Sequence, residues 1–167
     1  DFRALIDDGL IDILFVNEEE AGILEGSDPE TAFESLANDV PLVVMTCGAK
    51  GAIAARGDER ASVKPEPVEK VQDLTGAGDL FAAGFLSGYC REASLEESLI
   101  RGAVAAGEVI SHWGARPEAD LQALVAKRLG EGRPGIAAQS TSHSSSPHSQ
   151  ATRLRAALQS RPKLASA

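Results

Sequence analysis

Two short, nearly unbroken apolar runs, "IDILFV" at residues 11–16 and "VPLVVMT" at 40–46, constrain the fold of this chain more than anything else in it. A strand with one wet face alternates apolar and polar residues. These runs do not alternate, and their Val and Ile content fits parallel strands covered on both faces. The stretch between them supplies the crossover helix that parallel strands need. Asp28 is placed to cap it, Pro29 to open it, and Ala32, Phe33, Leu36 and Ala37 fall on one stripe. The segment reads as a β-α-β unit.

Beyond it, "GAIAARGDERASV" (51–63) reads as a hairpin turning at Gly57 and Asp58, and "PVEKVQ" (67–72) as a further strand. The Arg56-Gly57-Asp58 tripeptide is accounted for by that turn. Three helices follow. The first starts near Ala77 and carries Leu80, Phe81, Gly84, Phe85 and Gly88, whose glycines suggest close packing on the sheet. The second opens with Ser94 and Glu97 in capping-box spacing, shows Leu95, Leu99, Ala103, Ala106 and Ile110 on one face, and stops before Gly114. The third runs from about Pro117 to Leu129. No fixed-period repeat interrupts this order, and the whole is an α/β layered fold.

Composition narrows the function classes. With 167 residues, 43% of them hydrophobic, the chain has enough apolar material for one real core. A formal net charge of −9 opposes nucleic acid and anionic membranes as partners. No run approaches the roughly 18–20 apolar residues of a membrane span. Cys47 and Cys90 form neither a CxxC pair nor a ligand cluster, so a reduced, cytoplasmic setting is expected. The charge is uneven: residues 131–167 hold Arg133, Arg153, Arg155, Arg161 and Lys163 against Glu131, a net +4 that leaves −13 for residues 1–130. Within that tail, "AAQSTSHSSSPHSQ" is low-complexity and expected to be disordered. The following "ATRLRAALQSR" has the makings of a short basic amphipathic helix, although a solvated or non-native extension is the preferred reading. The domain is therefore expected over 1–130. Because Asp1 reads as lying at the end of a helix, and the only methionine is Met45, the sequence is expected to start inside that domain.

The chemistry gathers at "DLTGAGDLFAAGFL", residues 73–86. A strand, a turn through Gly76, Ala77 and Gly78, and then a helix would set unpaired N–H groups at the carboxyl edge of a sheet, where anions bind. Glycines let the backbone approach a phosphate, and the helix terminus adds about half a positive charge. A P-loop needs GxxxxGK followed by Ser or Thr, and a dinucleotide fingerprint needs GxGxxG; neither is present, since Phe81 stands three residues after Gly78. The turn differs from a plain phosphate cradle in carrying Asp79. Its carboxylate could accept the proton of a hydroxyl that attacks a phosphoryl donor. Full deprotonation beforehand would cost about 16 kcal/mol for an ordinary carboxylate and an unactivated hydroxyl, so Asp79 would orient first and accept late. The plainer role for Asp79 is a favourable anion in a first helical turn, worth about 0.3–1 kcal/mol.

These residues resemble the signature DTxGAGD of the PfkB or ribokinase-like family of small-molecule kinases, with Leu74 in place of the usual threonine. "NEEE" (17–20) resembles the family's NxxE motif, "TCGAKG" (46–51) its strand-end loop, and "EVISHWGARPEADL" (108–121) the ending of adenosine-kinase-like and sugar-kinase-like members. The resemblance spans residues 1–129 and matches the carboxyl half of a family member. The amino half, with its Gly-Gly substrate motif and lid, has no counterpart in a sequence that contains no Gly-Gly pair.

The resemblance implies a ribokinase-like layered sandwich and transfer of the γ-phosphoryl group of ATP to a hydroxyl of a sugar or nucleoside. Asp79 would be the base, with Gly76, Ala77 and Gly78 as the anion hole. Asn17 and Glu20 would organise Mg²⁺ through water, and Thr46, Gly48, Gly51, Gly114 and Ala115 would lie near the nucleotide. Asp73 is the candidate ligand of a monovalent cation such as K⁺. The amino-terminal lid implies a homodimer. His112 is read as a helix-end cap and Trp113 as packing. The alternative is a truncated, catalytically inactive nucleotide-binding fragment; a nicotinamide-dependent oxidoreductase is disfavoured by the missing fingerprint.

Overall fold

The computed structural model describes residues 2–131. The low-complexity segment and the basic helix expected after it lie outside those residues.

The chain runs through α1 (Phe2–Asp7), β1 (Ile13–Asn17), α2 (Glu18–Glu25), α3 (Pro29–Asp39), β2 (Leu42–Thr46), β3 (Ala52–Arg56), β4 (Glu59–Val63), α4 (Ala77–Tyr89), α5 (Leu95–Val109) and α6 (Leu121–Glu131). The strands form one mixed sheet in the order β1-β2-β3-β4. β1 and β2 are parallel, with Asn17 opposite Thr46, and the two later pairs are antiparallel.

Side-chain alternation along the strands divides the core into two layers. Leu14, Val16, Val43, Met45 and Ala55 face α1, α2 and α3, whose Ile6, Ala21, Phe33 and Leu36 complete that side. Leu42, Val44, Ala52 and Ala54 face the other way, toward Phe81 and Phe85 of α4 and Leu95, Leu99 and Ala103 of α5. This is why the two apolar runs do not alternate: both faces of β1 and β2 are covered. As expected, Asp28 caps α3, accepting from Thr31 N at 3.1 Å behind Pro29. Ser94 caps α5 in the same way, at 3.1 Å from Glu97 N.

Four local expectations need correction. The stretch from Asn17 to Asp28 holds a helix of its own, α2, closed by Gly26 in the left-handed region. Residues 67–72 form no strand. Pro65 and Pro67 offer no N–H to a ladder, and the segment lies along α5, with Gln72 N donating to Ile110 O at 2.8 Å. The α4 glycines face a helix rather than the sheet: a methyl on Gly84 would stand 2.5 Å from the carbonyl oxygen of Arg101, and one on Gly102 would stand 2.9 Å from that of Phe81. Finally, α6 begins four residues later than expected, because Asp120 rather than Pro117 opens it: its Oδ1 accepts from Gln122 N at 2.9 Å and Ala123 N at 3.2 Å.

Candidate active site

The direction of α4 locates its first turn. The ring of Phe85 meets Phe15, in the middle of β1, edge-on at 5.6 Å. One turn further on, Tyr89 lies under the Arg56 guanidinium, and Arg56 pairs with Leu42 at the amino end of β2. The helix therefore runs against β1 and β2, and its start projects past their carboxyl ends.

That start is open. Asn17, Asp28 and Ser94 cap α2, α3 and α5, whereas α4 has no side-chain cap. Gly76 holds φ at 80°, in the left-handed region. Ala77 N donates to Leu74 O at 3.2 Å, and the N–H groups of Gly76, Gly78 and Asp79 have no acceptor among the described residues. An added methyl on Gly78 would touch nothing within 4 Å, so the space in front of this turn is free. Asp79 is exposed in the same turn, and none of the described groups pairs with its carboxylate.

The turn is braced from behind. Asp73 Oδ1 accepts from Thr75 N at 2.9 Å and from the Thr75 hydroxyl at 2.7 Å, and its Oδ2 accepts from Gly114 N at 3.1 Å. The Thr75 hydroxyl and amide, then Gly114, hold the Asp73 carboxyl below its ordinary range. Ala115 sits against Gly76 so closely that a methyl there would come within 2.7 Å of the Ala115 Cβ. Asp73, Gly76, Gly114 and Ala115, singled out separately in the sequence, thus form one contact set.

The other expected residues gather at the strand ends. Asn17 and Glu20 form a reciprocal capping box: Asn17 Oδ1 accepts from Glu20 N at 2.8 Å and Glu20 Oε2 accepts from Asn17 N at 2.9 Å. The motif that resembled a metal organiser therefore also has a local structural task. Thr46 faces Asn17 across the sheet, and its hydroxyl reaches Val16 O at 3.5 Å. The loop after it closes as a 3₁₀ turn, Gly48–Lys50, and Lys50 Nζ pairs with Glu18 Oε1 at 2.8 Å. Gly51, at φ 103°, passes so close to β4 that a methyl would lie 1.9 Å from Val63 O. Both groups of residues lie at the same edge of the sheet.

Among the described residues no group of three or more His, Cys, Asp or Glu could hold a metal ion. Mg²⁺ fits such a site through one or two carboxylates, water and substrate phosphate, and Glu20 keeps one carboxylate oxygen outside the capping box.

Glu108 escaped the sequence reading. Its side chain is 7% exposed, and its Oε1 accepts from Glu118 N and Ala119 N, both at 2.8 Å. Burial pushes this carboxyl up, but those amides and His112 outweigh it and the net shift is down. His112 Nε2 lies 3.3 Å from Glu108 Oε1, and its Nδ1 lies 3.4 Å from Trp113 O; Trp113 lies beyond α5, so His112 pairs with a carboxylate of the helix rather than capping the helix carbonyls as expected. Burial lowers the imidazole and its partners outweigh that, for a net rise from 6.5. Trp113 does not pack: it is 76% exposed. The only hint of Glu108 in the sequence was an acid and a histidine four apart at the end of a helix rich in small residues.

The mixed sheet between two helical layers superposes on solved structures of small-molecule kinases over part of their length. A probable sugar kinase from Rhizobium etli superposes with a TM-score of 0.73 at 41% identity, over 77% of this chain and 39% of that one. Adenosine kinase from Sinorhizobium meliloti gives 0.71 at 43% identity over the same shares. A cytidine kinase from Thermococcus kodakarensis is 40% identical over 107 residues, 62% of this chain and 38% of its own length. The family model described as pfkB family carbohydrate kinase matches residues 1–121, and the chain belongs to that family. It spans about two-fifths of the length of these relatives.

Proposed function

We propose that this chain is the phosphate-handling part of a kinase that moves the γ-phosphoryl group of ATP to a hydroxyl of a sugar or nucleoside. The observation that carries the proposal is the uncapped start of α4: free N–H groups at Gly76, Gly78 and Asp79, open space before Gly78, and an unpaired carboxylate in the same turn. In that geometry the acceptor oxygen bonds to the γ-phosphorus as the bond to the β-phosphate oxygen breaks. The acceptor's proton passes to Asp79 late in the step. The helix-terminal amides hold the equatorial oxygens of the phosphoryl group in flight. Mg²⁺ bound with the nucleotide would neutralise phosphate charge, with Asn17 and Glu20 placed to hold its water. Thr46, Gly48 and Gly51 border the same edge, while Gly114 and Ala115 fix the turn; Asp73 is the candidate ligand for a monovalent cation. The names of the relatives, which include an adenosine kinase, a cytidine kinase and ribokinases, support a sugar or nucleoside as acceptor.

The test is ATP turnover by the complete polypeptide with a panel of sugars and nucleosides, alongside Asp79→Asn. The expected result is turnover that falls by about 10²–10⁴-fold in the variant, the size of a general-base contribution. Undiminished turnover in Asp79→Asn ends the assignment. A second reading rests on the share of the relatives that the chain spans, 39% in the solved structures: nucleotide binding without transfer. It predicts ATP binding by calorimetry and no phosphorylated product with any acceptor.

A further inference from the structure

Residues 111–119 connect α5 to α6 without regular structure, and every residue from Trp113 to Ala119 is exposed. No apolar side chain therefore anchors this loop. At its start Ser111 and His112 reach back to Glu108, and from Trp113 onward it is held by backbone N–H groups: Gly114 to Asp73, and Glu118 and Ala119 to Glu108. The loop in turn supplies the two contacts behind the phosphate turn, Gly114 on Asp73 and Ala115 against Gly76.

We propose that Glu108 is a positioning residue for the phosphate turn: by gripping Glu118 and Ala119 from α5, it holds Gly114 on Asp73 and Ala115 under Gly76, and so aims the free amides of Gly78 and Asp79. The inference rests on the reading that this turn receives a phosphoryl group. Two observations separate it from ordinary packing. A buried carboxylate is a costly way to fill space, since an apolar residue of similar volume avoids desolvation. And the fit is not optimised for pairing, because the second carboxylate oxygen, Glu108 Oε2, is buried without a hydrogen-bond partner. What the carboxylate supplies is a fixed acceptor for two amides on one oxygen, one turn away from the loop that they hold.

The experiment compares the full 167-residue chain with Glu108→Ala, Glu108→Gln and Ala119→Pro. Amide exchange is followed over residues 73–79 and over α3 as a control, together with the anisotropy of Trp113, the chain's single tryptophan, and ATP affinity by calorimetry. Glu108→Ala is expected to speed exchange of the hydrogen-bonded Thr75 and Ala77 amides in 73–79 by about tenfold, lower the Trp113 anisotropy and weaken ATP binding by about tenfold, the loss that charge-assisted hydrogen bonds support. α3 should be unchanged, and Glu108→Gln, which keeps an oxygen acceptor, should recover most of the loss. Unchanged exchange in 73–79 overturns the proposal, as does acceleration spread equally over α3, which would mark general stability. If Glu108→Ala does not fold, Ala119→Pro deletes one donor at an exposed position and is judged by the same criteria. If the unaltered chain binds no ATP, the kinase reading fails while exchange and anisotropy still decide the brace.

Discussion

Gly76 and Gly78 stand two residues apart in one turn and are glycine for different reasons. At Gly76 the fold demands it: φ is 80° and a methyl would press on Ala115 at 2.7 Å. Gly76→Ala should destabilise the protein by on the order of 2–4 kcal/mol, from a left-handed backbone and an overfilled contact, read as a lower denaturation midpoint. At Gly78 the fold demands nothing, since the position meets no atom within 4 Å. Gly78→Ala should leave stability unchanged, or raise it by up to about 1 kcal/mol through helix propensity. It should nevertheless weaken ATP binding by about tenfold or more, because the methyl intrudes where phosphate oxygens would meet charge-assisted donors. Equal ATP affinity in Gly78→Ala would mean that the turn does not touch phosphate. Asp73 gives a pH signature. Its folded pKa lies below the ordinary 3.8, so its contribution is complete above that value and disappears as pH falls through the lower, folded one. In acid titrations of stability, the gap between wild type and Asp73→Asn should hold steady at neutral pH and close below pH 3.8. A gap that widens in acid would contradict the hydrogen bonds drawn to this carboxylate.

At the scale of elements, the contact between α4 and α5 decides how firmly the Gly76–Asp79 turn is mounted. A methyl on Gly84 would meet backbone, the Arg101 carbonyl oxygen at 2.5 Å and Gly102 Cα at 2.9 Å, so the helices must part. At Gly88 the contacts are side-chain atoms rather than backbone, Cδ of Arg101 at 2.7 Å and Oγ of the buried Ser98 at 3.1 Å. Gly84→Ala should cost about 1–3 kcal/mol, and Gly88→Ala should cost less, because side chains yield more readily than backbone, as thermal melts will show. The reverse order would mean that the helices do not cross at Gly84. This contact also shows what a sequence can and cannot reveal. Glycines spaced along an apolar helix announce close approach, but not what approaches, which at Gly84 is α5 rather than the sheet. β1, β2, the hairpin and the caps of α3 and α5 were legible because their signals are local: apolar runs, turn residues, a cap before a stripe. Residues 67–72 carried the same local signal for a strand, but a strand also needs a free edge and N–H donors, which Pro65 and Pro67 lack. At the site, the Gly76–Asp79 turn was legible for the same local reason. Glu108 was not, because its task is set by residues ten and eleven positions away that only the loop's path brings to it.

For the whole molecule, the turn, the capping box and the strand-end loop all belong to one folded unit, with the turn mounted on one helical layer and the capping box on the other. A nucleotide held between them would touch α2, β2, the loop before α6 and α4 at once. Binding would then stabilise the entire unit rather than quieten one loop. At 100 times the dissociation constant, a ligand that binds only the native state adds about 2.7 kcal/mol. For a unit of about 130 residues this should raise the melting temperature by roughly 8 °C or more. The chain with Mg·ATP should show that rise in a thermal melt. Chelating the metal should shrink it, because phosphate charge would then face Glu18, Glu19, Glu20 and Asp79 unscreened. Gly78→Ala should lose most of the shift while melting like wild type without nucleotide. A melt that saturating Mg·ATP leaves in place would mean that these elements, though folded at one edge, do not grip a nucleotide together.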